Sequence, residues 1–65
     1  MVDTNKLKGL IVERGKTQTE VAQELGITRK AWYDRISKKK FNSDEMYALV
    51  KILDISDPVP IFFAD

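Results

Sequence analysis

Apolar residues along the chain recur with helical spacing, and the signals read as helices throughout. Leu7, Leu10 and Ile11 stand at i, i+3 and i+4, which predicts a first helix from about Thr4 to Arg14. Gly15 occupies the place of its C-terminal cap, where positive φ carries no Cβ penalty. Gly9, inside this helix, costs about 1 kcal/mol relative to alanine; it reads either as a point of close helix approach or as a tolerated defect. Thr17-Gln18-Thr19-Glu20 is a capping box that opens a second helix, with Val21, Ala22 and Leu25 as its apolar stripe and Gly26 as its end. Ile27 lies in the following turn, and Thr28 can cap a third helix, residues 28–37. Trp32 and Ile36, at i and i+4, face inward there, which assigns Trp32 to the core rather than to stacking on a base. Arg29, Lys30, Tyr33 and Asp34 fall on the opposite side.

Lys38-Lys39-Lys40 reads as a loop. Asn42 and Glu45 then form a second box, with Phe41 and Met46 placed as a hydrophobic staple around it. Met46, Leu49, Val50 and Leu53 make the fourth helix amphipathic to about Leu53. The tail from Asp57 onward reads in two ways: one short turn with Asp57 as N-cap and Pro58 at the first helical position, or an extended end. The expected fold is therefore all-α, a compact four- to five-helix bundle.

Length allows a single domain, residues 1–65. A domain of this size buries only roughly 60% of the surface its unfolded chain exposes, so the core is thin. The chain has no cysteine and no histidine. Disulfides are excluded, a zinc site would need carboxylates alone, and neither metal nor cofactor is expected. The polar start Asp3-Thr4-Asn5-Lys6 is not a secretory signal, and no apolar run approaches the ~20 residues that span a bilayer. A cytoplasmic location with no membrane partner is the expectation.

Charge changes the picture through its placement. The net charge is +1, yet residues 29–40 carry Arg29, Lys30, Arg35, Lys38, Lys39 and Lys40 against Asp34 alone. Residues 41–65 carry Lys51 against five acids, and residues 1–28 balance at zero. A molecule polarised in this way orients in the field of a polyanion.

The basic block adjoins the segment Gln18 to Ser37, two short helices joined by a glycine turn. Small Ala22, turn Gly26, plugging Ile27 and core-facing Trp32 and Ile36 form a moderately specific pattern for a helix-turn-helix. A short helix presenting Arg29, Lys30 and Tyr33 near its start has the dimensions of the B-DNA major groove.

The run Thr17 to Arg29 resembles the phage-repressor and Cro-type helix-turn-helix family, also called the xenobiotic-response-element-like family. The resemblance extends over nearly the whole chain: Leu7 to Ile11 is similar to that family's first helix and Asp44 to Ser56 to its fourth. The ending Ile61-Phe62-Phe63 is similar to small phage and prophage members. The resemblance implies a lambda-repressor-like DNA-binding domain acting as a transcriptional regulator, a repressor of Cro type that recognises a pseudo-palindromic double-stranded operator. It implies that Gln18 contacts a phosphate and braces the recognition helix. Thr28, Arg29 and Lys30 then reach base edges or nearby phosphates, Tyr33 and Asp34 face the groove one turn on, and Lys38, Lys39 and Lys40 meet the backbone. Two positions depart from the pattern: Arg35 stands where many members are apolar, and Lys38 where a glycine often caps the recognition helix.

The chemistry is independent of the family. An arginine can donate two parallel hydrogen bonds to guanine O6 and N7, worth ~1–3 kcal/mol of discrimination, and lysines neutralise phosphates with a salt slope of about −0.9 for each. Arg29 is assigned to sequence readout and the lysines of 38–40 to positioning. Tyr33 reads either as a contact or as an exposed ring. Asp34 reads either as an acceptor from cytosine N4 or as the partner of Lys30 or Lys38 in a surface ion pair. Phe62 and Phe63 read in two ways: in a monomer one caps the core while the other is exposed, or, the better fit for two adjacent aromatics on so short a tail, they serve with Ile61 a partner surface, a homodimer included. The competing function is a protein-interaction module that binds another regulator through this tail. An enzyme is not expected, since no serine has a convergent base and no phosphate-binding glycine loop is present.

Overall fold

Four side chains of the same kind start the four long helices. Asp3, Thr17, Thr28 and Asn42 each accept a hydrogen bond from the amide three residues on: Lys6 at 3.1 Å, Glu20 at 3.1 Å, Ala31 at 3.0 Å and Glu45 at 2.8 Å. Each satisfies one of the amides that a helix N-terminus leaves without a partner. The helices that follow are α1 (Thr4–Glu13), α2 (Gln18–Leu25), α3 (Arg29–Lys38) and α4 (Ser43–Ile52), with a four-residue turn α5 (Val59–Phe62) after them. The computed structural model describes residues 1–64, and among these there is no strand.

The four long helices also end alike. Gly15, Gly26, Lys39 and Asp54 adopt left-handed φ values of 72°, 82°, 55° and 50°. Each donates its amide to a carbonyl three residues back, and the next residue reaches five back: Lys16 to Ile11, Ile27 to Ala22, Lys40 to Arg35 and Ile55 to Val50, at 2.9–3.1 Å. This is the paired closing pattern that satisfies the last helical carbonyls. Glycine at the first two ends is what sequence reasoning expects. At the third, the helix does not stop at Ser37: Lys38 is its last residue and Lys39 is the left-handed one. The loop therefore contains Lys39 and Lys40 but not Lys38. The place of the usual glycine is taken by Lys39, one residue beyond the expected position.

The core is built on residues whose side chains are wholly removed from solvent: Trp32, Leu7, Ile11, Leu49, Leu53 and Val21. Helix α2 is central and packs against α1, α3 and α4, while α1 also meets α5. Trp32 and Phe41 lie with ring centroids 5.4 Å apart and planes tilted by 52°, a separation within the range over which aromatic rings attract one another. Val2, Ile55 and the partly polar Thr4 complete this core, and none of the three was marked by helical periodicity. Gly9 is not a point of close approach: it is exposed, and a Cβ there would meet nothing within 4 Å.

The tail adopts the short turn. It starts one residue later than expected: Pro58, already in the right-handed helical region, stands at the cap position and Val59 begins α5, with Asp57 Oδ1 accepting from the Val59 amide at 3.2 Å. This brings Ile61 and Phe62 into the chain's own core, at 9% and 3% exposure, and corrects the expectation that the tail's apolar run serves a partner surface. Only Phe63 of that trio points outward, at 62%. The physical reason is the N-terminal segment, which a periodicity argument does not see. The Asp3 amide donates to the Ile61 carbonyl at 2.7 Å and the Val2 amide to the Lys39 carbonyl at 3.1 Å, so the first residues tie the tail and the α3–α4 loop together. The radius of gyration is 10.5 Å, against about 10.7 Å for a compact chain of this length. Among the described residues, no helix is long and apolar enough to cross a membrane.

Candidate nucleic-acid interface

The segment from Gln18 to Lys40 places its polar residues through three devices: a cap, a brace and a clamp. Thr28 is the cap. Its Oγ1 accepts from the Ala31 amide, which fixes the start of α3 and leaves the hydroxyl proton available to donate outward. The turn before it closes on Gly26, and half-buried Ile27 packs against the core as expected.

Gln18 is the brace. Its Oε1 accepts from the indole Nε1 of Trp32 at 2.8 Å, joining the first residue of α2 to the middle of α3. The indole is fully buried, so this bond satisfies a donor that would otherwise cost about 1–3 kcal/mol. The side-chain NH2 of Gln18 is not used by this bond.

Arg35 is the clamp. Its Nε donates to Glu45 Oε2 at 2.6 Å and a terminal nitrogen donates to the Ala31 carbonyl at 3.2 Å. Glu45 is buried, and its other oxygen accepts from the Asn42 amide at 3.0 Å within the capping box of α4. The departure at Arg35 thus does not disturb the register of α3. The arginine lies half-buried in a position where an apolar residue would serve, and it joins the last turn of α3 to the start of α4. Sequence reasoning identified Glu45 as a box residue and Arg35 as an anomaly. Their pairing was not legible, because each was assigned to a different helix with no distance between them.

The opposite side of α3 faces solvent. Arg29, Lys30, Tyr33, Asp34 and Ser37 are exposed, as are Lys38, Lys39 and Lys40. Asp34 pairs with Lys38 at 3.3 Å, one helical turn on, and not with Lys30. Arg29 lies over the Tyr33 ring, with its guanidinium carbon 5.7 Å from the centroid. Of the six cations between residues 29 and 40, Arg35 and Lys38 are in ion pairs. Among the described residues, Arg29, Lys30, Lys39 and Lys40 are in none.

The predicted site residues are thus spread over the start of α2, the outward side of α3 and the turn beyond it, and the role of the lysines changes. Lys38 belongs to the helix and shares its charge with Asp34. Lys39 and Lys40 hold the turn beyond it, the first in a left-handed conformation and anchored through its carbonyl to Val2. Thr28, Arg29 and Lys30 begin α3, which has no acidic residue in its first turn. No family model, curated protein or solved structure matches the chain.

Proposed function

We propose that the chain is a sequence-specific double-stranded-DNA-binding regulator of Cro-like helix-turn-helix type, with α2 and α3 as its two helices and α3 as the element that enters the major groove. What supports this is the outward face of α3, where Arg29 and Lys30 are exposed and joined to no carboxylate among the described residues. A helix with its side chains is about 10–12 Å across, and the major groove is about 12 Å wide. Arg29 reads a base edge, with Lys30 beside it. Gln18 offers its NH2 and Thr28 its hydroxyl proton to phosphates flanking the groove. Lys39 and Lys40 neutralise backbone charge where the chain leaves α3, releasing counterions.

The competing reading, a module that binds another regulator through an apolar tail, would have Phe63 and Val59 as its exposed contacts, since Ile61 and Phe62 are occupied in the core. Selection of bound duplexes from random DNA at low ionic strength separates the two. An enriched motif, palindromic if two copies bind together, is the expected result. Arg29→Ala then relaxes preference at one base pair in each half-site, while Lys39→Ala weakens all sequences alike. Failure of the wild-type chain to enrich any motif would end the proposal.

A further inference from the structure

The chain has three arginines, and their guanidinium groups are used in different ways. Arg14 donates from Nε to the Leu53 carbonyl at 2.7 Å and from a terminal nitrogen to the Asp54 carbonyl at 3.3 Å. Arg35 donates to Glu45 and to the Ala31 carbonyl. In both, the N–H edge is consumed within the protein. Arg29 differs. Its contact is with the face of the Tyr33 ring, four residues on, at 5.7 Å, inside the ~6 Å over which a cation is drawn to an aromatic ring.

The distinction is chemical. A carboxylate that held this arginine would accept from the same N–H fork that a base or phosphate needs, and would cancel its charge. A ring face does neither: it restrains a flexible side chain while all five N–H donors stay available. The neighbouring acid that could have competed, Asp34, is drawn away by Lys38. Arg29 is thus held in place with its N–H fork open, and the bidentate match of that fork is guanine O6 and N7.

We propose that Tyr33 is a positioning residue for Arg29, and that the pair makes guanine the base read by the start of α3. This rests on the DNA-binding reading and goes further, naming the base and a residue that acts through another. The experiment compares guanine preference at the Arg29-dependent position, by competition with duplexes changed there alone, across Tyr33→Phe, Tyr33→Leu, Arg29→Ala and the double variant Arg29→Ala/Tyr33→Leu. Tyr33 is 43% exposed, so the substitutions leave the fold intact, and thermal melts verify this. Tyr33→Phe keeps the preference. Tyr33→Leu lowers it about threefold, the share of an exposed cation–π contact. Arg29→Ala lowers it about tenfold or more, and adding Tyr33→Leu to it lowers it no further. In the free protein, the Arg29 side-chain protons are shifted upfield in the wild type and in Tyr33→Phe, and lose that shift in Tyr33→Leu.

An unchanged guanine preference in Tyr33→Leu, or a loss in Tyr33→Phe equal to that in Tyr33→Leu, overturns the positioning role and leaves DNA binding standing. An Arg29-dependent position that selects a base other than guanine overturns the base assignment. A wild-type chain with no enriched motif overturns the DNA-binding reading itself, and this inference with it.

Discussion

Helices α3 and α4 begin with the same kind of cap and then diverge. At α4, Asn42 accepts from the Glu45 amide and Glu45 returns a carboxylate to the Asn42 amide, with Asp44 beside it. Negative charge there complements the partial positive charge of the helix start. At α3, Thr28 accepts from the Ala31 amide, but the residue three on is alanine and nothing returns. The first two residues are Arg29 and Lys30, cations at the end where the helix dipole disfavours them by roughly 0.3–1 kcal/mol each. Helix α2 sides with α4, having its own box through Glu20. Helix α1 lacks a box too, but its cap, Asp3, is itself a carboxylate. Among the four long helices, α3 is thus the one whose start carries no carboxylate, and it is the one whose outward face is proposed to meet an anion. On the proposed reading, a duplex would supply the negative charge that the protein itself omits there.

The largest expected effect tests the stabilised end of that contrast. Glu45→Ala removes both the return half of the α4 box and the partner of half-buried Arg35. We expect a loss of about 2 kcal/mol, reduced from the ~3–5 kcal/mol of a fully buried pair because Arg35 retains solvent contact. Chemical denaturation measures it; a loss below a few tenths of a kcal/mol would mean the clamp holds nothing.

Lys39→Gly sharpens the contrast at the other end of α3. The left-handed conformation costs a non-glycine residue about 1–2 kcal/mol, partly offset by the greater freedom of glycine in the unfolded chain. The variant should gain about 1 kcal/mol and melt roughly 4–8 °C higher. It should also bind DNA with a salt slope smaller by about 0.9, since one phosphate contact is gone. A more stable variant with an unchanged slope would show that Lys39 touches no phosphate.

The smallest effect comes from converting α3 to the α4 pattern. Ala31→Glu supplies the missing return carboxylate at the third helical position. Stability should rise by about 0.5 kcal/mol, read as a higher melting temperature, while DNA affinity falls because a negative charge now stands among the contacts. Equal or tighter DNA binding in this variant would break the link between the unstabilised helix start and the duplex.

Much of the molecule is legible in its sequence. Capping chemistry is local: a hydroxyl, amide or carboxylate three residues before a partner amide identifies a helix start whatever surrounds it, and the starts at Thr17, Thr28 and Asn42 were read in this way. The faces of α3 followed from 3.6-residue periodicity, which sent Trp32 and Ile36 one way and Arg29, Lys30 and Tyr33 the other. Less legible was anything that required two distant segments to meet. Lys39 as the left-handed residue lay one position from the expected break, because lysine carries no local signal for positive φ. The destinations of Arg35 and of Phe62 could not be read from their neighbours.

Chain order alone sets where the long helices start, which of their sides turn inward, and that positive charge gathers along and just beyond α3. These depend on interactions across three or four residues, which the chain order already brings together. It takes the packing of the helices for Gln18 to hold the Trp32 indole, for Arg35 and not Arg29 to be engaged by Glu45, and for Ile61 and Phe62 to fill the protein's own core. These contacts join residues far apart in the chain, and whether a polar or apolar group finds a partner there depends on how the helices pack.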